Sequence, residues 1–218
     1  MTNERAAPRI GTRDEWLAER AALLAREKAH TRERAQLAED RRKLPWVPVE
    51  QGYRFEGADG PCTLRELFGD ASQLAIYHFM FGDGWDAPCP GCTQWADALD
   101  NTTHNFAMAD ARLVVVSRGP IAQLLAERER RGWRFDWYSS AGSSFNVDFH
   151  VSSDDLETAE AHLGDEKVGF DRGENHGVSV FALHEDAVYH CYSVYNRGIE
   201  AMNGAFGYYD LLPHGRPW

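Results

Sequence analysis

The sequence lacks any apolar stretch of the roughly 20 residues needed to cross a lipid bilayer. Its first residues, up to Arg26, carry charges throughout instead of the apolar core of a secretory signal. We therefore predict a cytoplasmic protein without a membrane partner, in a compartment where thiols stay reduced. Positive charge is also scarce, with 23 Lys and Arg against 34 Asp and Glu and a formal net charge of -11. Such a surface repels phosphate backbones, so we predict no nucleic-acid partner.

Cysteine is scarce too, and the four cysteines are Cys62, Cys89, Cys92 and Cys191. A structural zinc site usually takes four ligands, from two close cysteine pairs or from one pair and two histidines. Only Cys89 and Cys92 form such a pair here. We therefore favour a redox dithiol over a zinc site, and predict no metal and no cofactor. Cys62 and Cys191 are expected to be buried small residues.

Internal repeats and low-complexity segments are absent as well, and 218 residues suffice for one α/β domain with an appendage. From Thr12 to Arg42, apolar residues at near-helical spacing stand among many charges. This pattern predicts one long solvated helix, opened by a capping box of Thr12 and Glu15. We divide the chain into a helical extension over 1–48 and a domain over 49–218. The long helix is a candidate contact between copies in a homo-oligomer.

The remainder alternates strands and helices. Apolar runs predict strands covered on both faces at 74–80 and 112–117. A hairpin is predicted from strands at 178–183 and 187–192, and a helix at 121–131 ended by Gly132. Further helices are expected at 63–68, 93–107, 156–163 and 197–202. This order indicates an α/β fold.

The motif Cys89-Pro90-Gly91-Cys92 lies between a strand with its loop and a helix. A helix N-terminus presents unpaired N–H groups and a partial positive charge, which favour thiolate over thiol. Pro90 suits the first helical turn, and Gly91 lets the backbone approach a partner closely. We predict thiol–disulfide exchange, and analogy with exchange motifs makes Cys89 the attacking and Cys92 the resolving residue.

Other residues near the motif have two interpretations each. Arg118 follows a strand that should end near the dithiol, where it would stabilise a thiolate or remain a surface residue. Trp85 would shape the rim of the site or pack into the domain. His78, on a buried strand, would be a hydrogen-bonded core histidine or a catalyst, and we expect the core histidine.

Several motifs together resemble a known family. They are Tyr77-His78-Phe79-Met80-Phe81-Gly82, Cys89-Pro90-Gly91-Cys92, Ser117-Arg118-Gly119-Pro120, Gly132-Trp133-x-Phe135-x-Trp137-x-Ser139-Ser140, Phe145-Asn146-x-Asp148-Phe149 and Arg197-Gly198. The chain resembles, over nearly its whole length, the bacterial domain-of-unknown-function family numbered 899, grouped with thioredoxin-like proteins and labelled a predicted dithiol-disulfide oxidoreductase. The resemblance implies a thioredoxin-like three-layer sandwich with a central mixed sheet and an added long N-terminal helix.

A wider resemblance to peroxiredoxins implies a different division of labour. Their Pro-x-x-x-Thr-x-x-Cys motif would make Cys92, which Thr93 follows, the peroxidatic residue and would put Cys89 at the threonine position. The implied partners are a protein or small-molecule disulfide, or a peroxide, together with a cellular thiol reductant. Which cysteine attacks first stays open at this point.

The chain departs from thioredoxins at one position. Thioredoxins carry a cis-proline before the strand that faces the dithiol, whereas Val178 is the expected replacement here. The departure favours a second hypothesis, in which the thioredoxin-like domain is a binding module with little or no redox turnover.

Overall fold

The computed structural model describes residues 7–152 and 172–216. The chain divides into two compact units, Met1–Leu44 and Pro45–Trp218. The predicted division into 1–48 and 49–218 stays a prediction, and a two-residue strand at Val47–Pro48 pairs within the second unit.

Helix α1, Arg13–Arg42, makes up most of the first unit. Thr12 caps it, because the Thr12 hydroxyl accepts a hydrogen bond from the Glu15 N–H at 3.2 Å. The Glu15 carboxylate in turn accepts the Thr12 N–H at 2.7 Å, which lowers the pKa of Glu15. The predicted capping box is therefore confirmed. No residue of α1 is buried, as expected for a helix so rich in charge.

The second unit contains a sheet and short helices. Its strands are β1 Val47–Pro48, β2 Arg54–Gly57, β3 Gly60–Thr63, β4 Gln73–His78, β5 Ala111–Ser117, β6 Trp137–Ser139, β7 Gly177–His184 and β8 Ala187–Tyr195. Its α-helices are α2 Pro90–Asp100, α3 Ile121–Arg131, α4 Phe145–Asp148 and α5 Gly204–Tyr209, and 3-10 helices lie at Glu66–Phe68, Thr103–Ala109 and Asn196–Met202.

The strands form one sheet in the order β1-β8-β7-β4-β5-β6-β2-β3. Strand β5 pairs in parallel with β4 and β6, whereas the other pairings are antiparallel. The central position of β4 and β5 explains their continuous apolar runs, because strands covered on both faces have no polar side. The mixed sheet confirms the predicted fold class.

The two faces of the sheet carry separate cores. Alternate residues of a strand point to opposite faces. Tyr77 and Val115 belong to a core that includes side chains of α2 and α3. Ile76 and Val116 belong to a second core, which contains Phe145 of α4. The dithiol helix α2 therefore packs on the Tyr77 face of a layered structure.

Some predictions needed correction. The helix expected at 63–68 is instead the end of β3 followed by the 3-10 turn Glu66–Phe68. Strand β3 escaped prediction because it contains Pro61, which strands tolerate mainly at a sheet edge, where β3 lies. Cys62 and Cys191 are half-buried, not buried, because β3 is an edge strand and β8 is covered only by the short β1. The helix predicted at 156–163 lies outside the described residues.

Candidate active site around Cys89 and Cys92

Cys89 is the N-cap residue of α2, and Pro90 is the first helical residue. The Cys89 carbonyl accepts hydrogen bonds from the Thr93 N–H and the Thr93 hydroxyl, both at 3.0 Å. The Cys89 N–H donates to the Met80 carbonyl at 3.1 Å. The motif is thus fixed to its own helix and to the chain just beyond β4, where the unpaired N–H groups of α2 begin.

The two thiols differ in exposure. Neither cysteine forms a disulfide, and Cys89 is half-buried whereas Cys92 is only 2% exposed. A side chain at position 91 would place its Cβ 3.8 Å from Cys89 Sγ. Glycine at this position therefore leaves that sulfur open to approach.

The environment of Cys92 raises the pKa of its thiol well above the ordinary value. The largest cause is its hydrogen bond to the Cys89 side chain, followed by burial and by the Cys89 charge. The Tyr77 hydroxyl and the Met80 backbone act in the opposite direction. Cys92 is therefore held as a protonated thiol beside Cys89.

A cavity of about 380 Å³ opens beside Gly91. It is lined by Gly91, Gln94, Trp95, His176, Asn196, Arg197, Glu200 and Phe206. Since Gly91 sits between the two cysteines, the cavity gives a substrate room next to the dithiol.

Trp85 and Arg118 line a second cavity of about 370 Å³. Trp85 packs against the core on the dithiol face, and the Arg172 guanidinium lies 3.5 Å from its ring centroid. One Arg118 nitrogen lies 3.6 Å from the buried carboxylate of Glu174. Trp85 thus packs against the core and lines this cavity, where Arg118 lies near a carboxylate; its role at the rim of the dithiol site stays a prediction.

Val178 lies on β7 directly opposite Tyr77 of β4 and packs against the core that contains Cys92. No peptide bond among the described residues is cis. At the position where thioredoxins have a cis-proline, this chain has Val178 in a strand with trans peptide bonds.

Tyr77 and Met80 are neighbours of Cys92 that sequence reasoning missed. In the sequence, Tyr77 stands out only as part of a family motif. A signal was present in the strand period, because Tyr77 and Phe79 are two residues apart and share the face covered by α2. The Met80 backbone contact carries no side-chain signature and was not predictable.

His78 lies on the other face and is a hydrogen-bonded core histidine, as predicted. Its Nε2 is 2.8 Å from the Ser179 hydroxyl, which is 2.8 Å from the Ser193 hydroxyl. His190 Nε2 lies 2.8 Å from the same Ser193 oxygen. Burial, assisted by the nearby His190, lowers the pKa of His78 to about 3.

Among residues 7–152 and 172–216, no three His, Cys, Asp or Glu side chains come together in a way that could hold a metal ion. No helix in the same ranges is long and apolar enough to cross a membrane.

A layered mixed sheet with a cysteine pair at the start of a helix is typical of the thioredoxin-like fold, and comparison with known proteins gives the family. Residues 5–217 match the family described as "Bacterial protein of unknown function (DUF899)", so the chain belongs to that family. The predicted family membership is confirmed.

Solved structures give the fold. A cysteine-to-serine mutant of peroxiredoxin Q from Xanthomonas campestris is 17% identical, with a TM-score of 0.50 over 72% of this chain and 93% of that one. The bacterioferritin comigratory protein of Xanthomonas campestris, described with an alkyl peroxide reduction activity, gives the same values. The peroxidoxin BcpB of Mycobacterium tuberculosis is 17% identical over 68% of this chain and 86% of its own, with a TM-score of 0.43. No curated protein matches the chain.

Proposed function

We propose that the protein is a thiol–disulfide oxidoreductase or thiol peroxidase in which Cys89 attacks and Cys92 resolves. The observation that carries the proposal is the asymmetry of the pair. Cys89 is half-buried at the N-terminus of α2, while Cys92 is buried and hydrogen-bonded to it as a thiol. A thiol that donates to a neighbouring sulfur stabilises the thiolate there. This arrangement favours the thioredoxin-like division of labour over the peroxiredoxin-like one.

In the disulfide reaction, the Cys89 thiolate attacks one sulfur of the substrate and expels the other as a thiolate. Cys92 then loses its proton and attacks Cys89 Sγ, which releases the second substrate thiolate. The substrate gains two electrons, and the protein is left with a Cys89–Cys92 disulfide. A cellular thiol reductant returns it to the dithiol.

A peroxide would react at the same atom. The Cys89 thiolate would break the O–O bond and become a sulfenic acid, releasing water or an alcohol. Cys92 would then condense with the sulfenic acid, releasing water and forming the same disulfide. Because one structural neighbour is described with an alkyl peroxide reduction activity, peroxides are an oxidant to test.

The test compares wild-type protein with Cys89→Ser, Cys92→Ser and the distant double variant Cys62→Ser, Cys191→Ser. Each is treated with hydrogen peroxide or glutathione disulfide and mapped by mass spectrometry. We expect a Cys89–Cys92 disulfide in the wild type and in the double variant. Cys92→Ser should trap the adduct on Cys89. Cys89→Ser should react at least about a thousandfold more slowly, because a hydroxyl is a weak nucleophile.

Two outcomes would contradict the proposal. An adduct trapped on Cys92 in the Cys89→Ser variant would support the peroxiredoxin-like roles. A pair that stays reduced under both oxidants would instead support the binding module, which the trans strand at Val178 favours.

A further inference from the structure

Tyr77 lies beneath the dithiol and is wholly buried. Its ring stacks on Trp95 of α2, with centroids 6.2 Å apart, and meets Phe79 edge-on at 6.1 Å. These contacts fix the ring, so the direction of its hydroxyl is set by packing.

The Tyr77 hydroxyl is unusual because it is buried and makes no hydrogen bond of standard geometry among the described residues. Buried hydroxyls nearly always have a partner. Tyr77 and Cys92 lie in the same core, and burial together with interactions with the Cys92 and Cys89 side chains raises the pKa of Tyr77 well above its ordinary value. Tyr77 therefore stays protonated, and its hydroxyl can interact with a thiolate only as a hydrogen-bond donor.

A second donor acts on the same sulfur. The Met80 backbone acts on Cys92 in the same direction as Tyr77, towards the thiolate. The Met80 carbonyl accepts the Cys89 N–H, so the chain just after β4 contacts both cysteines. A weak contact to a thiol strengthens when the sulfur becomes charged, because hydrogen bonds to ions are shorter and stronger.

We propose that the Tyr77 hydroxyl stabilises Cys92 as the thiolate that closes on Cys89. The proposal deepens the proposed function and rests on it for the order of the two cysteines. Once Cys89 is bonded to a substrate sulfur, it no longer accepts the Cys92 proton and carries no charge. The Tyr77 and Met80 donors remain, so Cys92 ionises at that stage and its proton leaves with the released thiolate or to solvent.

The first test measures the closing step. Reaction with dithiobis(nitrobenzoate) releases one nitrothiobenzoate when Cys89 attacks and a second when Cys92 closes, and both are followed by stopped flow across pH. We expect Tyr77→Phe to slow the second release about tenfold and to raise its pH midpoint by about one unit. The first release should change by less than about twofold.

Tyr53→Phe is the matched control, because the Tyr53 hydroxyl is in the other core and donates to Asp148 at 2.8 Å. It should leave both releases at wild-type rates. A Tyr77→Phe protein with the wild-type second rate and pH midpoint would overturn the proposal. Equal slowing in the two variants would also overturn it, since the effect would then be one of general packing.

A direct titration separates failure of this proposal from failure of the proposed function. In a Cys89→Ala background no turnover is needed, and the pKa of Cys92 is read from its ¹³Cβ chemical shift. Adding Tyr77→Phe should raise that pKa by about one unit. An unchanged pKa would overturn the role of Tyr77, whatever the dithiol does in the wild-type protein.

Discussion

Tyr77 and His78 are adjacent in the chain but serve opposite faces of the sheet. On one face, Tyr77 presents a buried hydroxyl without a standard partner among the described residues to a sulfur that changes charge during the proposed reaction. On the other, the His78 Nε2 is bonded into a chain of hydroxyls that ends at His190. On one face, the Tyr77 hydroxyl is thus able to donate to the Cys92 thiolate. On the other face, His78 is held in its neutral form.

The largest expected effect separates stability from reactivity. Phe145 is fully buried in the His78 face and packs at 4.9 Å from Phe55 and 4.7 Å from Phe149, measured between ring centroids. Phe145→Ala should lower the free energy of unfolding by about 4 kcal/mol. Because the dithiol lies on the other face, folded variant protein should alkylate Cys89 at nearly the wild-type rate. Urea unfolding and iodoacetamide kinetics measure the two quantities.

Phe79→Ala is the counterpart on the dithiol face. Phe79 contacts Tyr77 and Trp137, at 6.1 and 4.8 Å between centroids, and is also buried. Its loss should cost a similar free energy and also slow closure of the dithiol, because the Tyr77 ring loses support. If Phe145→Ala and Phe79→Ala slowed closure of the dithiol equally, the two faces would not be separate.

The second prediction concerns pH. The pKa of His78 is about 3 in the folded chain, against an ordinary value of 6.5. Between these values the unfolded chain binds a proton that the folded chain does not, so stability falls as pH falls. From pH 7 to pH 5 this contributes a loss of about 2 kcal/mol.

His78→Gln removes that titration and keeps a polar side chain able to reach Ser179. The variant should therefore lose about 2 kcal/mol less than the wild type when urea unfolding is repeated at pH 7 and pH 5. If both proteins lost the same free energy of unfolding between pH 7 and pH 5, His78 would not be the buried titrating group. The carboxylates cancel in this comparison, whereas His190, which interacts with His78, contributes to the difference.

Tyr77 and His78 also show which parts of the site can be predicted from the sequence. Local sequence rules predict three features of this structure. They are the helix start at Cys89, the helix end at the left-handed Gly132 and the burial of His78 in a short apolar run. Each depends only on residues close together in the chain. The Tyr77 contact with Cys92 depends on how α2 packs on β4, which joins residues 15 positions apart. The strand period holds the information that Tyr77 and Phe79 share a face, but the partner of the Tyr77 hydroxyl required the packed structure.

The smallest expected effect probes access on the dithiol face alone. In Gly91→Ala the new Cβ would lie 3.8 Å from Cys89 Sγ, an ordinary contact that needs no rearrangement. The fold and the reaction with hydrogen peroxide should therefore stay within about twofold of wild type. Glutathione disulfide must bring its sulfur and flanking groups past position 91, so its rate should fall about threefold.

The quantity to compare is the ratio of the rates with glutathione disulfide and with hydrogen peroxide. Any loss of thiolate at Cys89 would lower both rates together and leave this ratio unchanged. A fall in the glutathione disulfide rate alone would assign the opening beside Gly91 to larger disulfides. An equal fall for both would mean that Gly91 acts on the sulfur itself, through the first turn of α2. No change in either would place the approach to Cys89 on the Trp85 side, where the second cavity lies.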